Sequence, residues 1–250
     1  MKTIIFANQK GGCGKTTTAH SVAHGLSRRG CRVLLVDADA QCNLSDLEGL
    51  EDTEGLPTLR SMMKRERWAE DCITELSGGL AIIPGDILLS GIDLELSGDV
   101  DAPYMLREGL QRVADRFDYC IIDTPPTLGI MTTGALVAAD QLVIPLTPDR
   151  FSMKGLNQLY ENVQKVKRRI NSKLQITGLL LTRCDRTNAS EAMTEAVEEY
   201  AQENGLKVFR ARIRQGVAVR ESQILHGDIF ENGSGVADDY NEFIDELTEG

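Results

Sequence analysis

The chain has 250 residues, with 27 Lys and Arg against 38 Asp and Glu, for a formal net charge of −11. That length suits one α/β domain with a sizeable core. The acidic balance excludes nucleic-acid binding by the surface as a whole, while local basic patches remain open. No apolar run approaches the ~18–20 residues of a membrane span, and none precedes the first motif as a leader. The six cysteines form no CxxC pair, as expected of reduced thiols in a soluble cytoplasmic protein.

Short β-branched segments, apolar on both faces, alternate with amphipathic stretches from end to end. Strands buried between helix layers read this way. In chain order, strands are expected at Thr3–Asn8, Arg32–Asp37, Leu80–Pro84, Tyr119–Asp123, Gln141–Pro145, Gln175–Thr182 and Lys207–Ile213. Helices are expected at Thr16–Arg29, Leu59–Glu70, Tyr104–Arg116, Gly129–Ala138, Gly155–Ile170, Glu191–Asn204 and Val236–Leu247. The first helix closes on Arg28, Arg29 and Gly30, because cations suit the last turn and glycine the position after it. The acidic stretch Asp46–Pro57 reads as a loop. Strand–helix alternation predicts a mostly parallel β-sheet with helices on both faces. The prediction is a single α/β domain over residues 1–250.

Between the first strand and first helix lies Gln9-Lys10-Gly11-Gly12-Cys13-Gly14-Lys15-Thr16-Thr17. Three glycines let the backbone curl so that its N–H groups point at phosphate oxygens, and the helix N-terminus adds its dipole there. Lys15 is placed to reach the β- and γ-phosphates of ATP, and the Thr16 hydroxyl to ligate Mg²⁺. The chain is therefore read as a P-loop NTPase. It departs from the usual G-x-x-x-x-G-K-[ST] pattern in having Gln9 at the first glycine position and a second lysine, Lys10. Only the backbone of Cys13 is expected to face phosphate.

Two strand ends supply carboxylates. Tyr119-Cys120-Ile121-Ile122-Asp123-Thr124-Pro125-Pro126 ends an apolar strand in Asp123, the place for a Mg²⁺-side carboxylate. Val33-Leu34-Leu35-Val36-Asp37-Ala38-Asp39-Ala40-Gln41 carries two carboxylates at i and i+2, on one face of a strand. Asp39 is assigned to orienting the attacking water, and Asp37 to Mg²⁺ hydration or to the loop.

Lys10-Gly11-Gly12-Cys13-Gly14-Lys15-Thr16-Thr17 resembles the deviant Walker A motif of the ParA/MinD ATPases. The double-Asp strand and the Asp-x-Pro-Pro strand are similar to that family's other two motifs. The resemblance runs along essentially the whole chain and is closest to the small ParA/Soj branch. Arg214-Gln215-Gly216-Val217-Ala218-Val219-Arg220-Glu221-Ser222 is similar to a late family segment in which an arginine-bearing strand end enters a helix. Departures are Ala40 in place of the family's Pro, Cys42 in place of Gly, Cys13 in place of a common Val, and an acidic tail.

The resemblance implies an ATP-sandwich homodimer in which Lys10 reaches the partner's phosphates, neutralising charge as an arginine finger does. It implies non-specific DNA binding by the ATP state, a ParB-like activator, and partition of a plasmid or chromosome by a nucleoid-associated protein. It places base contacts at Thr182-Arg183-Cys184-Asp185, with Arg183 on the adenine and Ile213–Gln215, including Arg214, as the opposite wall. Residues 205–220 hold Lys207, Arg210, Arg212, Arg214 and Arg220 and no acidic residue. Residues 163–173 hold Lys165, Lys167, Arg168, Arg169 and Lys173, again without one. Such stripes suit sequence-independent phosphate contact, and Arg210, Arg212, Arg214 and Arg220 are the candidate DNA residues. The last 23 residues hold eight acidic residues and no Lys or Arg, which an anionic membrane would repel. No membrane partner is expected. The competing reading is an ATP switch that positions a protein complex without DNA.

Overall fold

A computed structural model describes residues 1–149, 152–185, 187–231 and 233–249. Five parallel strands carry the centre: β1 (Lys2–Phe6), β2 (Val33–Asp37), β4 (Leu80–Ile83), β5 (Tyr119–Asp123) and β6 (Gln141–Leu146). A parallel β7 (Gln175–Leu181) and a two-residue antiparallel β3 (Thr74–Glu75) close the edges, in the order β3-β4-β2-β5-β1-β6-β7.

Side chains of the central strands alternate between two cores. Ile5, Leu34, Val36, Cys120 and Ile122 face one layer. That layer is built by α3 (Leu59–Met63), α5 (Ala102–Arg112), α6 (Ile130–Ala138), α7 (Ser152–Arg169) and α8 (Asn188–Glu203). Ile4, Phe6, Val33, Leu35 and Ile121 face the other, under α1 (Lys15–Arg28) and α10 (Gly235–Thr248). The strands are apolar on both faces because both faces are covered. Three short helices complete the chain: α2 (Asn43–Leu47), α4 (Ile92–Glu95) and α9 (Val217–Leu225).

Three expectations are corrected. The helix expected over Leu59–Glu70 starts on a Thr58–Ser61 capping box but ends at Met63. Arg65 then takes a left-handed backbone, φ 58, which an α-helix cannot carry, and the chain resumes as a 3₁₀ turn at Ala69–Cys72. Part of the expected loop after Asp46 is already helical in α2.

The strand expected at Lys207–Ile213 is extended, and its alternation is right: Phe209, Ala211 and Ile213 are buried. It nevertheless makes only single bridges, Leu179 with Val208 and Cys184 with Arg214. The Phe209 and Ile213 amides donate to the Leu179 and Leu181 carbonyls of β7, and carboxylates of α10 take others. Glu246 accepts from the Arg210 and Ala211 amides, and Asp239 from the Arg214 amide.

Candidate nucleotide and metal site

The site stands at the carboxyl ends of β1, β2 and β5, where open α/β sheets bind ligands. Strand register does the first part of the work: Phe6 pairs with Asp123, and Asp37 pairs with Asp123 on the other side. The phosphate loop and both strand-end carboxylates therefore meet at one edge. Thr124 donates to the Phe6 carbonyl at 2.8 Å and Asn8 to the Pro145 carbonyl at 2.7 Å, tying the ends of β5, β1 and β6 together. The Asn8 side chain also accepts from the Lys10 amide at 3.0 Å, which fixes the entry to the loop.

Within the loop, Gly12 and Gly14 have φ of 72 and 84, values that L side chains rarely adopt. Gly14 is the N-cap of α1, and no side chain caps the helix. The α1 N-terminus thus directs its partial positive charge into the loop, where an anion is favoured. The Cys13 side chain is buried, and burial raises its thiol pKa. Its carbonyl accepts from Thr182 at 2.8 Å, which ties the loop to the end of β7.

A cleft of about 810 Å³ opens over the loop. Gly11, Gly12, Gly14, Lys15, Thr16 and Thr17 form its floor, with Asp39, Gln41 and Pro126 at one side. Arg183 and Ile213–Arg220 form the other side, with Tyr240 of α10 among the lining residues. The bridge between Cys184 and Arg214 sets Arg183 and Arg214 side by side on one wall, rather than on two facing walls. Arg183 donates to the Gly12 carbonyl at 3.1 Å, so its guanidinium lies over the phosphate loop.

The two lysines separate. Lys15 is buried, and its ammonium lies 3.4 Å from the Lys10 carbonyl. The Lys10 ammonium lines a second pocket, of about 450 Å³, that shares Gly11, Gly12 and Arg183 with the first. It rests there on Asp149 and on Thr147.

The carboxylates separate too. Asp37 is buried with both oxygens engaged. One accepts from the Ser45 amide and hydroxyl at 2.8 and 2.7 Å, the other from the Asp39 amide at 3.2 Å. Ser45 also accepts from the Gly85 amide, and a Cβ at Gly85 would stand 3.1 Å from the Asp37 carboxyl carbon, so a side chain there would press on that carboxyl group. Asp37, expected among the metal residues, is therefore engaged by the loop and α2 through both its oxygens. Burial pushes its pKa up to about 6.

Asp123 is the opposite case. Both its oxygens are buried, and neither has a hydrogen-bond partner of normal geometry among the described residues. The neighbouring Thr16 hydroxyl lowers its pKa, but burial and the Asp37 charge outweigh that and push it up to about 8. A buried carboxylate left unpaired is costly unless a cation completes it. Asp123 and Thr16 thus fit Mg²⁺, whose ligands are oxygens.

Asp39 lines the cleft with one oxygen accepting from the Gln41 amide at 3.1 Å. Sequence reasoning missed Asn8, Ser45, Gly85 and Tyr240. None belongs to a spaced motif, and each works through a contact made across the fold.

The basic stripe is placed differently from its appearance in the sequence. Arg214 makes a two-pronged ion pair with Asp239 at 2.7 and 2.8 Å. Arg212 pairs with Glu198 at 2.8 Å, and Lys207 with Glu246 at 2.8 Å. The Arg210 side chain is 81% exposed, 3.9 Å from Glu246, and Arg220 is exposed at the cleft. No helix among the described residues is long and apolar enough to cross a membrane.

Comparison with known proteins agrees with this geometry. Residues 1–176 match the family model of an AAA domain. The chain is 38% identical over 227 residues to the chromosome partitioning protein ParA of Caulobacter vibrioides, covering 89% of this chain and 84% of that protein. It is 36% identical over 223 residues to the sporulation initiation inhibitor protein Soj of Bacillus subtilis, covering 88% and 87%. Among solved structures, the fold matches cobyrinic acid a,c-diamide synthase from Mycobacterium smegmatis with bound ATP analogue and magnesium. The TM-score there is 0.87 at 29% identity, over 100% of this chain and 95% of that one.

Proposed function

Because this chain belongs to the ParA/Soj family and is an ATPase that acts in partitioning with ATP and Mg²⁺, we propose that ATP joins two copies of it into a dimer that binds DNA without sequence preference. Hydrolysis, stimulated by a ParB-like partner, then separates the copies. The observation that carries this reading is the separation of the two lysines. Lys15 lies in the nucleotide cleft, while Lys10 is held on Asp149 and Thr147 in the adjoining open pocket. A second chain docked over that pocket would take Lys10 to its own phosphates, where it would offset charge developing on the transferred group. Lys15 and the loop amides bind the phosphates, Asp39 orients the attacking water, and Thr16 with Asp123 hold Mg²⁺. When bound, Mg²⁺ supplies positive charge to the phosphate oxygens. Arg183 and Arg214 close the nucleotide side.

The DNA surface of this reading is centred on Arg210 and Arg220, with Arg212 and Arg214 behind them on their carboxylate partners. The working place is the cytoplasm, on the nucleoid. A membrane role is disfavoured because α10 turns Val236, Tyr240, Phe243, Ile244 and Leu247 into the core, so its apolar face is already used.

Light scattering and salt-dependent binding to random-sequence duplex DNA, with ATP, ADP or no nucleotide, test the proposal. Asp39→Ala should hold a stable ATP dimer, and Arg210→Glu with Arg220→Glu should abolish ATP-dependent DNA binding while leaving that dimer. A monomer in every nucleotide state would overturn the sandwich. A dimer without DNA binding would move the function to a protein-recruiting switch, a reading favoured by the carboxylates that already pair the stripe.

A further inference from the structure

We propose that His20, His24 and Glu48 form a zinc site that clamps the phosphate-loop helix α1 to the segment after Asp39. The chain has three histidines, and two of them stand at i and i+4 on α1, which puts them on one helix face. Their rings lie 4.3 Å apart, centroid to centroid. Glu48, one residue past the end of α2, meets both: its Oε1 is 2.9 Å from His24 Nε2 and 3.5 Å from His20 Nε2. All three donor atoms fall within 4.8 Å of one another. Tetrahedral zinc with ligand distances of about 2.0–2.1 Å separates its donors by about 3.3–3.4 Å. The two measured separations bracket that edge, so small side-chain rotations complete the geometry.

The surroundings suit a metal rather than a plain ion pair. Side chains of His20 and Glu48 are only 6 and 7% exposed, and that of His24 is 18% exposed, so a water can take a fourth position at the His24 edge. Burial, with the His24 ring next, lowers the His20 pKa to about 4; the imidazole is therefore neutral at physiological pH, as a ligand must be. On the far side of the ring, His24 Nδ1 lies 3.8 Å from Asp228, which Arg28 holds at 2.8 Å. Drawn in to hydrogen-bond distance, that carboxylate would fix the tautomer that leaves Nε2 for the metal. Two imidazoles and a carboxylate are donors that favour zinc over magnesium or calcium. None of these residues lines the nucleotide cleft, so the site is distinct from the one that takes Mg²⁺.

Occupied, the site would cross-link two elements that the His24–Glu48 hydrogen bond otherwise joins. The segment joining Asp39 and Gln41 to Glu48 is the one Asp37 props through Ser45. Zinc would therefore restrict the mobility of the water-orienting loop without touching nucleotide.

The test uses untagged full-length protein, without nucleotide, titrated with Zn²⁺ and with Co²⁺ as a spectroscopic probe, for wild type, His24→Gln and Glu48→Gln. The expected result is one equivalent per chain, with tetrahedral Co²⁺ absorption and no thiolate charge-transfer band. Both variants should lose it while melting at the wild-type temperature in chelator. At a zinc concentration a hundredfold above Kd, wild-type Tm should rise by about 5–10 °C, and the variants' Tm should not move. Absence of binding in wild type would overturn the proposal. So would binding that survives in both variants or carries the thiolate band, since the metal would then sit on cysteine.

Discussion

The phosphate site and the segment 205–220 are both dense in charge, and they treat it in opposite ways. The phosphate site leaves charge uncompensated. The α1 N-terminus has no cap, Asp123 has two orphan oxygens, and its neighbour Asp37 carries a raised pKa. Segment 205–220 pairs three of its five cations within the chain, Lys207, Arg212 and Arg214, through Glu246, Glu198 and Asp239. Unpaired buried charge is retained where a ligand is to complete it, whereas paired charge holds structure together. The acidic tail, which in the sequence opposes the basic stripe, is in space its counter-ion. It belongs to a helix whose other face buries Phe243 against Phe209, ring centroids 4.8 Å apart.

The sharpest way to break this contrast is Lys15→Ala. Removing the one cation buried in the phosphate site should abolish ATP binding and turnover together. Turnover within tenfold of wild type, measured as phosphate release, would mean that the site's charge is not there for phosphate.

Next is Phe243→Ala, which tests whether the tail is structural. Truncating a fully buried aromatic should cost about 3–5 kcal/mol in urea unfolding. A cost below about 1 kcal/mol would return the tail to a loosely attached acidic appendage.

A smaller effect should be seen in the pH dependence of stability without metal or nucleotide. Asp123 titrates near 8 in the fold, above its ordinary 3.8. A raised carboxyl pKa favours the fold below the unfolded value, and that contribution is lost as pH climbs through the folded value. Wild-type Tm should therefore fall relative to that of Asp123→Asn between pH 6 and 8.5. Mg²⁺ with ADP should reverse the fall, taking up the carboxylate and releasing about one proton per ion below pH 8. Parallel Tm curves for the two proteins would mean that Asp123 carries no uncompensated charge.

The smallest expected effect is that of Glu246→Gln. It keeps an acceptor for the Arg210 and Ala211 amides but removes the charge facing Lys207 and Arg210. DNA affinity should rise severalfold, with a salt slope steeper by about one phosphate contact. Unchanged affinity and slope would separate this cluster from any nucleic-acid surface.

Some of the molecule was legible in the sequence because its physics is local. The phosphate loop is contiguous, and glycine spacing, a lysine and a helix start suffice to announce it. Strands β1, β2 and β5 were legible within a residue or two, since burial on both faces leaves a continuous apolar run, which in β2 and β5 ends abruptly in Asp. The missed elements lack such signals. Two-residue β3 is too short for any period, and α3 ends at Met63 ahead of a left-handed Arg65, a residue with no inherent tendency to stop a helix. The expected strand at Lys207–Ile213 alternates correctly, but whether its amides meet a neighbouring strand or two carboxylates some 30 residues on is not written in the segment itself.

The sequence by itself determined the fold class and the nucleotide, because strand–helix alternation and the phosphate loop each depend on neighbours a few positions apart. Only the tertiary structure decided the division of labour among like residues. Asp37 props a loop while Asp123 stands open, because Ser45 and Gly85 arrive against one and not the other. Lys10 and Lys15 part company because Asp149 lies beside the first. Charge acts through distance in space, and the fold sets that distance independently of separation along the chain.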